Sequence, residues 1–267
     1  MKYVEYFGMT KDPFSNDIAL KDILPLPGAL SVRERIEYIV KTGGVMVVTG
    51  EVGSGKSTAL RWSVGQYHRS DITCAYVIAG TGGSNDLYKQ LCWSLNIKIT
   101  SSNRVNLLKI FKSTVEEIVK HQKIKLLIII DEAFLLRTDI LAELHTITQF
   151  DYDSANLFGL ILAGQNSLID KLKYSISAPL ASRVITRAHL TNLSNEQMTD
   201  YLNHHLKIVG MKKNLFSANA VTAIYQGSGG LLRSANSLAR GALIACMIDK
   251  DSTVNEEHVR RASTELI

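Results

Sequence analysis

No stretch of this 267-residue chain is apolar for long enough to cross a bilayer. The apolar runs at 126–130 and 242–248, the second flanked by Arg240, Asp249 and Lys250, fall far short of the roughly 20 residues a spanning helix needs. The opening ten residues mix charge with aromatics and lack the basic-then-apolar order of a secretory signal. Cysteine is scarce: Cys74, Cys92 and Cys246 have neither disulfide nor zinc spacing and read as small buried hydrophobes of a reducing compartment. The histidines are scattered, and no repeat, low-complexity tract, helix-turn-helix or zinc module is recognisable. A cytoplasmic protein with no membrane partner is expected. What is abundant is core: hydrophobic residues make up 46% of the chain, enough to exclude wholesale disorder. The net charge of +5 and a pI near 9.0 favour an acidic partner such as nucleic acid.

Apolar blocks alternate with amphipathic stretches between residues 45 and 190. Strands are expected over 45–49, 73–79, 125–130, 157–163 and 184–190, and helices over 56–69, 84–95 with Ser84 as N-cap, 103–121, 139–149 and 168–174. The helix at 103–121 carries Val105, Leu108, Phe111, Val115 and Ile118 at helical spacing. Residues 125–130 are nearly pure Leu and Ile, as in a central parallel strand covered on both faces. The alternation predicts an α/β fold with a doubly wound parallel sheet. After residue 190 only helices are expected, over 194–209, 217–226, 231–248 and 255–266, the first opened by a capping box of Ser194 with Gln197. Two domains follow: an αβα core over 1–190 and a small all-helical module over 191–267.

Gly50, Glu51, Val52, Gly53, Ser54, Gly55, Lys56, Ser57 and Thr58 fit the phosphate-loop pattern G-x-x-x-x-G-K-[ST], between an apolar strand and a helix. Glycines let backbone N–H groups turn in around phosphates, and the following helix adds the positive end of its dipole. Lys56 is the candidate for the β- and γ-phosphates of ATP, and the Ser57 hydroxyl for Mg²⁺. The strand at 125–130 then runs into Asp131 and Glu132, placing two carboxylates at the C-terminal sheet edge where open α/β folds bind ligands. Asp131 would hold the metal and Glu132 would orient the attacking water; the plainer alternative is that the pair caps a helix.

These motifs, with the arrangement of the remainder, resemble the AAA+ superfamily. Tyr6-Phe7-Gly8-Met9 with Asp12-Pro13-Phe14, followed by Thr49 to Lys56, resembles its ExeA-like branch, which includes secretion ATPases and transposition helper ATPases akin in role to MuB and TnsC. The resemblance spans essentially the whole chain. It implies a polar sensor after the 157–163 strand, for which Gln165 is the candidate and Asn166 the reserve. It also implies an arginine finger given to a neighbouring subunit, Arg183 with Arg187 as rival, and a lid arginine, Arg233, after Gly229 and Gly230. No proline precedes Arg233 as the family pattern would have it. An N-terminal segment over the adenine is implied too, with Phe14 beside the base or simply in the core.

The function expected is therefore an ATPase that binds double-stranded DNA as a homo-oligomer, a ring or helical filament with ATP at subunit interfaces, and regulates transposition with a transposase as partner. Lys89, Lys98, Arg104, Lys109 and Lys112 are the candidate DNA contacts, against the reading that they form a solvated face. The alternative is an ExeA-like secretion ATPase or another protein-directed one. The chain stops after the helical module, which leaves the secretion reading without a membrane anchor.

Overall fold

The computed structural model describes residues 2–68, 70–99 and 102–265. Arg69 and Leu266, the expected ends of two helices, lie outside them. In chain order the elements are α1 (Lys2–Phe7), α2 (Pro27–Thr42), β1 (Gly44–Gly50), α3 (Lys56–Val64), β2 (Ile72–Ile78), α4 (Ser84–Ser94), α5 (Arg104–Glu116), β3 (Lys125–Asp131) and α6 (Thr138–Glu143). They continue with β4 (Gly159–Gly164), α7 (Ser167–Lys173), α8 (Ala178–Ala181), β5 (Val184–Leu190), α9 (Asn195–Ile208), α10 (Ala218–Ser228), α11 (Leu232–Ile248) and α12 (Glu256–Glu265). By contact the chain groups into two compact units: Pro27–Gly50 with Lys56–Leu190, and Met1–Leu26 with Glu51–Gly55 and Thr191–Ile267.

The first unit holds the expected doubly wound sheet, five parallel strands among the described residues in the order β2-β3-β4-β1-β5. Alternation of side chains along each strand explains its two buried faces. Val45 and Val47, Ala75 and Val77, Ile128 and Ile130, and Leu160 and Leu162 point into one core with Leu91, Phe111, Ile140 and Leu168. Met46, Val48, Leu127, Ile129 and Ile161, equally buried, take the alternate face, against which α2 and α3 pack. The helix α2 was not expected, yet Ala29, Val32, Ile36 and Ile39 are its buried stripe.

Local chemistry moves some boundaries. Gly83, rather than Ser84, is the N-cap of α4, because the Asp86 carboxylate reaches back to accept the Gly83 N–H at 3.1 Å. The helix expected over 139–149 stops at Glu143 and tightens into a 3₁₀ turn over Leu144–Thr148. The helix after the phosphate loop ends at Val64.

The second unit contains α1 and α9–α12. Ser194 and Gln197 form the expected capping box, each side chain bonding the other's backbone N–H at 3.2 and 3.0 Å. Leu202, Leu206, Ile224, Ala239, Leu243 and Cys246 form its core. Phe14 lies within that core, fully buried, stacked on His205 with ring centroids 5.6 Å apart and set against Phe216. Of the two roles considered for Phe14, its packing fits the core one, since the ring has no exposed face to offer a base.

Candidate active site

β1 delivers the chain to Gly50 at the C-terminal edge of the sheet, and α3 begins at Lys56. In the loop between them Gly53 and Gly55 take φ of +83° and +90°, conformations that a side chain would strain. A Cβ on Gly53 would also lie 2.9 Å from the Cβ of Arg233, whose N–H donates to the Gly53 carbonyl at 3.2 Å. The expected lid arginine is thus fixed by its backbone to the phosphate loop, with its side chain exposed in the first turn of α11. The Ser54 hydroxyl is buried with no partner among the described residues, a polar group in want of a ligand. Val52 is exposed, and so are Ser57 and Thr58 at the start of α3.

Lys56 is 7% exposed, and its ammonium donates to the Gly50 carbonyl at 3.1 Å. Its neighbour Ser57 donates to Asp131 Oδ2 at 2.6 Å. The Tyr76 hydroxyl, from β2, donates to the same oxygen at 2.7 Å, and Asp131 Oδ1 accepts the Glu132 N–H at 2.8 Å. Asp131 is 2% exposed, and these three donors satisfy its buried oxygens. Burial, and after it the hydrogen bond to Asp131, raises the Tyr76 hydroxyl above its ordinary range, so it remains a donor. No local motif in the sequence marks Tyr76. Its available signal is the parallel register, which pairs Ile78 with Asp131 and sets Tyr76 one side-chain step below on the same face.

Glu132 is half-buried and left-handed, with φ 55° and ψ 29°. For a residue with a side chain that conformation costs roughly 1–3 kcal/mol and persists where its surroundings enforce it. Gln165 follows β4 directly, and because Thr49 pairs with Gly164 it stands beside Gly50 on the same edge. Gln165 is half-buried and Asn166, one residue on, is exposed. Sheet topology therefore brings Gly50, Lys56, Ser57, Asp131, Glu132 and Gln165 to one end of the sheet.

Arg183 is not among them. Its carbonyl accepts from Val45 at the start of β1, five residues before Gly50. At about 3.3 Å per residue that is roughly 16 Å from the phosphate-loop end. Its side chain is 18% exposed and pairs with Asp153 at 2.6 Å. That guanidinium holds the Asp153 carboxyl below the usual carboxylate range. Arg187, exposed on β5, pairs in register with Val47, midway along β1.

The basic residues considered for DNA differ in availability. Lys98 and Lys109 are exposed, and Lys89 is half-buried on α4. Arg104 pairs with Glu143 at 2.9 Å. Lys112 is turned inward: it donates to the Gln149 carbonyl at 2.9 Å over the Phe150 ring, and burial lowers its pKa. A DNA contact by Lys112 runs against this placement, since its ammonium is already spent inside the fold.

The model of the AAA domain family matches residues 39–172, half of the chain. This chain belongs to the AAA domain family. It has the AAA+ αβα fold, and membership of the family implies nucleotide use. The domain is similar to General secretion pathway protein A of Aeromonas hydrophila, at 28% identity over 253 residues, covering 91% of this chain and 44% of that protein. It thus spans less than half the length of that relative. Among solved structures, the domain is similar to Cdc6p of Pyrobaculum aerophilum, with a TM-score of 0.77 and 18% identity over 97% of this chain and 72% of that one. It also resembles the Aeropyrum pernix ORC1 protein in complex with DNA, with a TM-score of 0.65 and 14% identity over 95% of this chain and 68% of that one. At these identities the structures speak for a shared fold. Among the described residues no helix is long and apolar enough to cross a membrane.

Proposed function

We propose that this AAA domain binds and hydrolyses Mg-ATP at the sheet edge formed by Gly50, Lys56, Ser57, Asp131 and Glu132. The observation that carries this reading is the 2.6 Å contact of Ser57 with Asp131 beside a buried lysine. A hydroxyl and a carboxylate are the hard oxygen donors that Mg²⁺ prefers, and the unpartnered Ser54 hydroxyl and the glycine-lined loop suit phosphate oxygens. When bound, Mg-ATP supplies the phosphoanhydride bond and a cation that neutralises charge on its phosphates. Lys56 and the N–H groups of residues 51–58 would bind the phosphates, and Ser57 with Asp131 would hold the metal. Glu132 would orient a water and draw on its proton, and Gln165 would hold it or the terminal phosphate by its amide. Arg233 would act from the 191–267 module, which we read as the lid.

The finer reading is an ATP-dependent, DNA-binding oligomer that regulates transposition together with a transposase, with Arg183 completing a neighbouring subunit's site. The distance of Arg183 from its own phosphate loop supports donation in trans. The charge of +5 and the fold shared with a DNA-bound ORC1 support a DNA partner. The likeness to General secretion pathway protein A favours a second reading, a protein-directed secretion ATPase. Duplex DNA binding measured with ATP and with ADP separates them. ATP-dependent binding without sequence preference is expected; no affinity at low salt leaves the secretion reading.

A further inference from the structure

The turn that follows Glu132 is held from outside by an amine. The chain leaves β3 at Asp131, passes through Glu132 in its left-handed conformation and closes a 3₁₀ turn over Ala133–Leu135. Backbone bonds from Leu135 to Glu132 at 2.8 Å and from Leu136 to Ala133 at 3.2 Å build that turn. Two carbonyls on it, those of Phe134 and Leu136, converge on the ammonium of Lys171 at 2.5 and 2.7 Å. Lys171 lies on α7, whose first turn is anchored by bonds to the carbonyls of Gln165 and Asn166. The end of β4 presses the same turn from another side: a Cβ on Gly164 would sit 3.2 Å from the Phe134 nitrogen.

We propose that Lys171 is a positioning residue for Glu132. Its ammonium holds two carbonyls of the turn, so the left-handed Glu132 backbone, and with it the direction of the carboxylate, is set by α7. α7 follows directly on Gln165, so the amide proposed to hold the water or the terminal phosphate and the cation that aims the carboxylate lie on one continuous piece of chain. A lysine suits this because its three N–H donors on a compact charge can serve several carbonyls at once. The proposal rests on reading Glu132 as the residue that orients water.

The test uses the full chain. Lys171→Met keeps the aliphatic stem and removes the charge, and Lys171→Arg restores donors. Lys171→Met is expected to lower kcat roughly 100-fold, the scale of a small misplacement of a reacting group, with KM for ATP and the affinity for a fluorescent ATP analogue within about twofold of wild type. Lys171→Arg is expected to recover part of that loss. Adding Lys171→Met to Glu132→Gln is expected to cost nothing further, because both act on one step. An unchanged kcat, a parallel loss of nucleotide affinity, an arginine variant as slow as the methionine one, or a further loss in the double variant each overturns the proposal. Full turnover in Glu132→Gln alone would instead overturn the reading of Glu132, a result distinct from any of these.

Discussion

The Ser57 hydroxyl lies 2.6 Å from Asp131 Oδ2, although 74 residues separate them along the chain. The contact joins the first turn of α3 to the end of β3, and Tyr76 holds the same oxygen from β2. Ser57→Ala removes one hard oxygen donor and leaves Asp131 its Tyr76 bond. We expect the gain in ATP affinity that Mg²⁺ confers to fall several-fold, with metal-free nucleotide binding unchanged. Titration of a fluorescent ATP analogue with and without Mg²⁺ reads this directly, and an equal loss in both conditions would place Ser57 on the phosphates instead.

Lys56 and Glu132 are expected to separate binding from turnover. Lys56→Ala takes away a buried charge for the phosphates and should abolish measurable nucleotide binding. Glu132→Gln keeps shape and hydrogen bonding but removes the base, and should cost about 10²- to 10⁴-fold in kcat while binding persists. Equal loss of affinity in both variants would refute the division of roles.

How far the molecule could be read from sequence followed the range of the interactions. The αβα fold was legible because each strand and most helices announce themselves within a dozen residues, as in 125–130. The phosphate-loop pattern was legible for the same reason: its chemistry needs certain residue types at fixed local spacing. Tyr76 and Lys171 were not, since their partners lie 55 and 35–37 positions away and only the folded sheet brings them together. Helix α2 was hidden by its opening Pro27-Gly28, which reads as a turn even though proline is well placed in a first helical turn. Phe14 shows the limit of resemblance, because an aromatic ring can serve a base or a core equally well on paper.

Arg183 offers a test of shared sites. Its backbone lies at the far end of β1 from its own phosphate loop, which suits the proposed donation to another subunit once its Asp153 pair is released. Arg183→Ala and Lys56→Ala subunits, each inactive alone, are expected to recover part of the ATPase rate when mixed, because some interfaces then unite an intact loop with an intact arginine. If mixtures stay at the sum of their parts, with mixed oligomers confirmed by sizing, donation in trans is wrong.

His205 makes stability depend on pH. Burial, foremost, lowers its pKa from 6.5 to about 4, opposed by its bond to the Pro13 carbonyl and by Asp12, and aided by His204 and Lys11. The unfolded imidazole takes up its proton first, so folding loses free energy as pH falls below about 6.5, and the loss is complete near pH 4. A shift of this size corresponds to about 3 kcal/mol. His205→Gln is expected to be less stable at neutral pH yet to lose less between pH 6.5 and 4, as read by urea unfolding at each pH. Parallel pH profiles for the two proteins would assign the acid sensitivity elsewhere.

The DNA reading makes a graded prediction, because the candidate basic residues differ in what already occupies them. Phosphate binding releases counterions, giving a log–log salt slope of about 0.9 per neutralised phosphate. Lys98 and Lys109 are exposed, so Lys98→Ala and Lys109→Ala are expected each to flatten the slope of the ATP-bound protein by about one and to weaken all duplex sequences alike. Arg104 must first give up Glu143, so its substitution should matter less. Lys112→Met serves as the internal control: its ammonium is bound to Gln149 and sits over Phe150, and the slope should not move. Several subunits stacked along one duplex would multiply weak contacts, so affinity should rise with protein concentration and require ATP. A slope that responds to Lys112 but not to Lys98 or Lys109 would mean that DNA lies against another face, and no slope at all would mean that phosphates are not the ligand.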